Sequence, residues 1–312
     1  MAVHPGVLPE ERLPVDQTQG AGTGLAPHAS PVRRNLLLQR LSRFVRHPVG
    51  ACGGALVLWL IVLAAAAPLL SPHSPITQGF KRLLSPNSHN LLGTDEFGRD
   101  ILSRIIFGSR ISLEVGVIAV GVALILGGAL GLISGYFLGI VDSLAQRVVD
   151  ILLAIPGVVL IIAISGVIGP SMTTSMLAIG IVYSPAFSRV VRGSTLTVVA
   201  EQYVEAARAA GASPFRLIFR HVLPNVVAPV IVQVSLSFST AILAEATLSY
   251  LGLGTQPPEP SWGTMLASGR KFMDLAPWLT VFPGLAIMLA VLGFNLLGDA
   301  LRDALDPRLQ RE

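Results

Sequence analysis

Six long apolar runs, at about 49–71, 112–138, 149–169, 172–191, 226–250 and 278–299, constrain this chain more than any other feature. Each approaches the roughly 20 apolar residues that a helix needs to cross a hydrocarbon core. A buried soluble helix accounts for any one of them, but not for six in series. Charge agrees: 13% of the residues are charged, about half the share of a soluble globule. The chain reads as an all-α polytopic membrane protein with six transmembrane helices. The third and fourth runs are the least distinct, because only Gly169-Pro170-Ser171 separates them.

Residues 1–48 are polar and rich in Pro and Gly, which predicts a disordered tail. The first run begins too far along the chain for a cleavable signal peptide. Cys52 is the single cysteine. It precedes the apolar run instead of following it, so it is no lipoprotein cleavage site and reads as a structural thiol. One cysteine also excludes an intrachain disulfide and a cysteine-cluster metal site.

Lys and Arg placement sets the orientation. Arg33, Arg34, Arg40, Arg43 and Arg46 crowd the side before the first run, which predicts a cytoplasmic N-terminus. Six crossings then leave both termini cytoplasmic. Lys81, Arg82, Arg99, Arg104 and Arg110 oppose the rule, but Asp95, Glu96 and Asp100 neutralise part of that excess locally. The organisation predicted is a cytoplasmic tail at 1–48, a first helix at 49–71, and an external loop with an amphipathic helix at 72–111. A core of five helices follows at 112–300 with a cytoplasmic loop at 193–225, then a C-terminal cytoplasmic tail at 301–312.

Within the spans, Gly127, Gly131, Gly135 and Gly139 place one glycine per turn on a single helix face. That stripe predicts close helix packing. Pro156, Pro185 and Pro283 interrupt three spans and predict kinks. In 93–110 the residues Ile101, Leu102, Ile105 and Ile106 form an apolar stripe apart from Asp100, Ser103 and Arg104, which predicts a short helix lying on the membrane surface. Glu245 is the one acid well inside a span and is a candidate for the translocation path. Helix packing or snorkelling is the plainer alternative. The segment TQPPEPSWGTML is stiffened by Pro257, Pro258 and Pro260, and Trp262 is expected as an interfacial anchor.

The segment 201–224 is polar and lies between two apolar runs. Glu205 early and Arg208 late match the dipole of a short helix. Gly211 suits its C-terminal stop, Ser213 an N-cap and Pro214 a first helical position. A second short helix is predicted to end at Pro224, with Phe215, Ile218, Phe219 and Val222 on one stripe and Arg216 and Arg220 on another. His221 reads as a loop-packing residue. The flat surface of Ala206, Ala207, Ala210 and Gly211 suits docking into a partner's groove.

This loop resembles the EAA signature of permease subunits of ATP-binding-cassette importers, through Glu205-Ala206-Ala207, Gly211 and the closing Leu223-Pro224. The segments HNLLGTDEFGRDILSRIIFGSR (89–110) and SYLGLGTQPPEPSWGTMLASGR (249–270) resemble the C-type permease of the dipeptide/oligopeptide branch. The resemblance spans roughly 35–308. It implies a type I importer permease (MetI-like) fold, a homologous B-type permease as partner, and two cytoplasmic ATP-binding subunits docked on the EAA loops. It also implies an extracytoplasmic substrate-binding protein, a di- or oligopeptide substrate, and the bacterial plasma (inner) membrane as the location. On that basis Glu205, Ala206, Ala207, Gly211, Leu223 and Pro224 couple to the ATPases, and Pro257, Pro258 and Trp262 are candidates for contact with the binding protein. Relatives of this branch handle nickel chelates, glutathione or opines, so those substrates stay open.

No G-x-x-x-x-G-K-[ST] loop occurs, and the two lysines are Lys81 and Lys271. ATP and Mg are therefore expected in partner subunits. The chain itself is expected to carry no cofactor, no metal, no nucleic-acid partner and no enzymatic activity. A secondary transporter would show inverted repeats, and an intramembrane enzyme would show a catalytic constellation. Neither pattern is visible.

Overall fold

The computed structural model describes residues 48–305. The tail read at 1–48 lies outside these apart from Pro48, as do the last seven residues. Apart from one isolated bridge between Thr94 and Asp100, the regular structure of the described residues is helical, with irregular segments at 71–100 and 251–261: α1 Pro48–Ala65, α2 Ala67–Leu70, α3 Ile101–Phe137, α4 Gly139–Ala154, α5 Gly157–Ile168, α6 Met172–Val199, α7 Gln202–Ala209, α8 Pro214–Leu217, α9 Leu223–Tyr250, α10 Trp262–Gly269 and α11 Trp278–Leu305. Five stretches are long and apolar enough to cross a bilayer, and a sixth results if the bent pair α4–α5 counts as one span.

The pair bends by 89° at Ile155-Pro156. Pro156 has no N–H to continue the helix, and its ring drives Ile155 to extended dihedrals (φ −99, ψ 130). The run at 149–169 is thus divided at Pro156, as expected of a proline that interrupts a span. α5, with 12 residues, reaches only about 18 Å, short of a full crossing. α4 is amphipathic and is tied to α6 by Arg192, whose Nε and Nη2 donate to the Asp142 carboxylate at 2.7 and 2.6 Å. The helices α6 and α11 run on through Pro185 and Pro283 without interruption, so of the three prolines only Pro156 divides a span.

The stripe of small residues works as spacing suggested, over three of its four members. A Cβ on Gly127, Gly131 or Gly135 would strike α6: the Ser184 carbonyl, Val191 Cβ at 3.0 Å and Thr195 Cβ at 2.9 Å respectively. Gly180 on α6 reciprocates against Val122 Cβ at 2.6 Å. Close backbone approach gives these helices dispersion contact that lipid does not replace. Gly139 falls beyond the end of α3, at φ +57 with open space around it. It takes part in the turn into α4.

The predicted surface helix is also corrected. Residues 101–110 are the first turns of α3 itself, and Ile101, Ile105 and Ile106 are buried in the bundle together with Ser103 and Arg104. Asp100 caps the helix by accepting from the Ser103 amide at 2.9 Å. The buried polar face rules out a helix floating on lipid. Around it, Ile101, Ile105, Ile242, Trp262, Leu279 and Phe294 form one core joining α1, α3, α9, α10 and α11. A second core of Val115, Ala119, Ile161, Ile179, Phe187 and Leu248 joins α3, α5, α6 and α9.

Candidate functional site: the elbow between α6 and α9

Between α6 and α9 the chain folds into an elbow with an apolar core of its own. Val191 and Val198 of α6, Val204 of α7, Leu217, Val222 and Val226 close on one another. Burying Val204 on one side of α7 turns Glu205 and Ala206 outward to solvent, while Ala207 is half-buried against that core. α7 then stops as its sequence predicts. Gly211 takes φ +81, and its amide donates to the Arg208 carbonyl at 3.0 Å while the Ala212 amide donates to Ala207 at 3.1 Å. This paired bonding satisfies the last carbonyls of the helix and requires a left-handed residue at 211.

Ser213 caps the next helix, its Oγ accepting the Arg216 amide at 3.4 Å, with Pro214 in the first turn. The predicted end at Pro224 is wrong. The helix passes through Leu223 and Pro224 into α9, so that Pro214–Tyr250 form one 37-residue helical stretch. A π-helical turn at Ile218–Val222 makes this possible: the Leu223 amide reaches Ile218 instead of Phe219. The wider turn accommodates a proline that cannot donate. Asn225 helps, since its Nδ2 donates to the His221 carbonyl at 2.6 Å and to the Tyr203 hydroxyl at 3.1 Å, stapling α7 to the root of α9.

The extra residue in the π turn shifts the helical phase, so the predicted stripe divides. Val222 is buried, whereas Phe215 and Phe219 are 70% and 52% exposed with ring centroids 4.3 Å apart. The elbow thus presents Glu205, Ala206 and an aromatic pair outward. Leu223 and Pro224 are exposed at its root. Sequence reasoning missed Val204 and Asn225. The first had a signal in its position opposite Glu205 and Ala206 on a helical wheel; the second had none.

At the other end of α9, the sequence candidates separate. Glu245 is 1% exposed, which accords with the helix-packing alternative. Its Oε1 accepts from the hydroxyls of Ser249 at 2.7 Å and Ser261 at 2.9 Å, with Thr255 Oγ1 at 3.5 Å. These hold the segment 251–261 down on α9. Trp262 is no interfacial anchor or surface contact: it is 1% exposed. Its Nε1 donates to the Ile105 carbonyl at 3.0 Å, and its ring lies against Gly108, where a Cβ would sit 2.7 Å from Cδ1. A glycine on α3 leaves the slot that this ring fills. Pro257 and Pro258 remain exposed.

Comparison with known proteins agrees with this architecture. Residues 127–311 match the family described as binding-protein-dependent transport system inner membrane component. Residues 36–86 match the N-terminal TM domain of oligopeptide transport permease C. The chain is 47% identical to the dipeptide transport system permease protein DppC of Alkalihalophilus pseudofirmus, over 85% of this chain and 88% of that one. It is 48% identical to the di/tripeptide transport system permease protein DppC of Pseudomonas aeruginosa, over 85% and 90%. Identity to the glutathione transport system permease protein GsiD of Pectobacterium atrosepticum is 45%, over 86% and 90%. Among solved structures, the inward-facing MetNI methionine ABC transporter aligns with TM-score 0.54 at 16% identity, over 65% of this chain and 97% of that chain. That likeness concerns the fold.

Proposed function

Because the chain belongs to the family of inner membrane components of binding-protein-dependent transport systems, we propose that it forms, with a homologous permease, the path by which short peptides are imported. One of two ATP-binding subunits docks on the elbow and the other on the matching loop of the homologous permease, while an extracytoplasmic binding protein delivers the peptide to the opposite face around Pro257 and Pro258. Both termini are cytoplasmic in this reading, in keeping with the Arg-rich stretch before α1. ATP and Mg belong to the partner subunits.

The observation that carries the reading is the elbow's construction. Its core and the Asn225 staple weld α7 to the spans on either side, while Glu205, Ala206, Phe215 and Phe219 stay uncovered. A rigid element with an unpartnered apolar face suits the transmission of force. Closure of the ATPases against this face switches the bundle between inward- and outward-facing packings. Peptide is favoured as substrate by likeness to dipeptide and di/tripeptide permeases. Glutathione, itself a tripeptide, is the second reading, on likeness to a glutathione permease.

Cysteine crosslinking tests the arrangement. With the native Cys52 replaced by serine, Ala206→Cys or Ala207→Cys should capture a co-purifying ATPase, and labelling by a membrane-impermeant thiol reagent should occur only from the cytoplasmic side. Capture of no ATPase, or labelling from outside intact cells, would overturn it. Ligand binding by the cognate binding protein separates peptide from glutathione.

A further inference from the structure

A recess of about 340 Å³ lies between the loop before α3 and the α10 region, far along the chain from the elbow, and Arg99 is built into its wall. The Arg99 side chain is only 9% exposed and is fixed on two sides. Its Nε donates to Asp95 Oδ2 at 2.6 Å, and its guanidinium carbon stands 4.7 Å over the Phe97 ring. Asp95 has little left to offer. Its Oδ1 already accepts the Phe97 and Arg99 amides at 2.9 Å, and its Oδ2 also faces Arg104 Nε at 3.6 Å. Two guanidiniums therefore share one carboxylate.

Among the described residues, neither terminal nitrogen of Arg99 has a hydrogen-bond partner, and neither is sealed from solvent. A buried, immobilised fork with unmet donors facing a cavity is suited to one ligand group above others, a carboxylate held through two parallel hydrogen bonds. Ser268 and Lys271 line the same recess and add a hydroxyl and a second cation. Glu96 and Glu259 also line it and can accept from an ammonium. Phe97, Phe272 and Pro257 provide apolar wall.

We propose that this recess binds a small zwitterion, a free short peptide, with its C-terminal carboxylate on Arg99 and its amino group on the glutamates. The volume lies in the range of small-molecule sites, and a lining of both signs matches a zwitterion better than the lone acidic side chain of a docking protein. That the site faces the outside, and so holds peptide at the outer mouth of the permease, rests on the orientation proposed above. Binding itself does not.

The test uses the full chain with its co-purifying partners in nanodiscs, without the binding protein, titrated with Ala-Ala, its C-terminal amide and its N-acetyl form, and followed by ligand-detected NMR. Ala-Ala should bind, and amidation should weaken binding by about tenfold or more through loss of the charge-assisted pair. Arg99→Lys retains the charge beside Asp95 but not the fork, and should weaken binding to a similar degree. Lys271→Ala, at an exposed position, should weaken it about threefold with no loss of folded protein. N-acetylation and Glu259→Gln should weaken the other end. Absence of Ala-Ala binding, or binding indifferent to amidation and to Arg99→Lys, overturns the proposal. A second titration of the same nanodiscs with the binding protein alone adds a further arm: if Lys271→Ala and Arg99→Lys weaken that association and leave Ala-Ala binding unchanged, the recess receives a protein side chain and the proposal is overturned. If peptide import proceeds normally while the recess is empty of peptide, only this inference falls. If no ATPase co-purifies, the function proposed above falls.

Discussion

Replacing Glu245 by leucine should loosen the segment 251–261 while leaving the helical bundle intact. Leucine is similar in volume, so the cavity contribution is small, and the change removes mainly an acceptor. The Ser249 and Ser261 hydroxyls, at 2.7 and 2.9 Å from Oε1, lose their partner. Each also holds the backbone: Ser249 Oγ accepts the Thr255 amide at 3.0 Å, and Ser261 Oγ accepts the Gly263 amide at 3.2 Å. A buried hydroxyl left without an acceptor costs about 1–3 kcal/mol. Part is recovered where Ser249 turns to a carbonyl of its own helix. We take about 2–4 kcal/mol for the pair. At about 1.4 kcal/mol per decade, local opening becomes roughly thirty to several hundred times more frequent. Hydrogen–deuterium exchange of peptides covering 251–262 reads this directly, with the Thr255 amide the most informative site. Glu245→Gln keeps an acceptor oxygen and puts its amide where Oε2 already has no partner. Its exchange should stay within about threefold of the parent, and uptake should be unchanged. If the leucine variant exchanges like the parent, or glutamine loosens the segment equally, the clamp is not what holds it.

Three further outcomes follow from the packing. Gly131→Leu drives a side chain into the Ser188 carbonyl and Val191, and should cost about 1–3 kcal/mol or more; it should lower the melting temperature and the monodisperse yield, whereas Gly121→Ala, with nothing within 4 Å, should leave both unchanged. Gly211→Val meets open space but must hold φ +81, a strain of about 1–2 kcal/mol; membrane levels should be normal and transport abolished, and normal transport would count against the elbow as a lever. Asn225→Ala frees the His221 carbonyl and the Tyr203 hydroxyl, at about 1 kcal/mol; tryptic cleavage at the exposed Arg208 should accelerate, and an unchanged digestion rate would show that the apolar core alone holds α7.

What was legible in the sequence was local. The four-residue glycine spacing on α3 and the Gly211, Ser213 and Pro214 signals are read within one or two helical turns, and there the structure agrees. The errors involve partners distant in the chain. Trp262 after a Pro-rich stretch has the sequence context of an interfacial anchor; only Gly108 and the Ile105 carbonyl, on α3, make it a core residue. Glu245 looked like a lone acid in lipid because its clamp comes from a segment that folds back on α9. Pro156, Pro185 and Pro283 look alike in sequence, yet just one ends a helix, because packing on α6 and α11 carries the other two. The π turn had no sequence signal beyond Pro224, and it moved Phe215 and Phe219 off the face of Val222.

The unbroken stretch from Pro214 to Tyr250 measures about 55 Å at 1.5 Å per residue. It bears the aromatic pair at one tip and the Glu245 clamp near the other. A rod pivoting near its middle by only about 5° carries each tip some 2–3 Å, in opposite senses. Under the function proposed above, a push on the phenylalanines at one tip displaces the other tip, where Glu245 ties the rod to the segment 251–261 that carries Pro257 and Glu259.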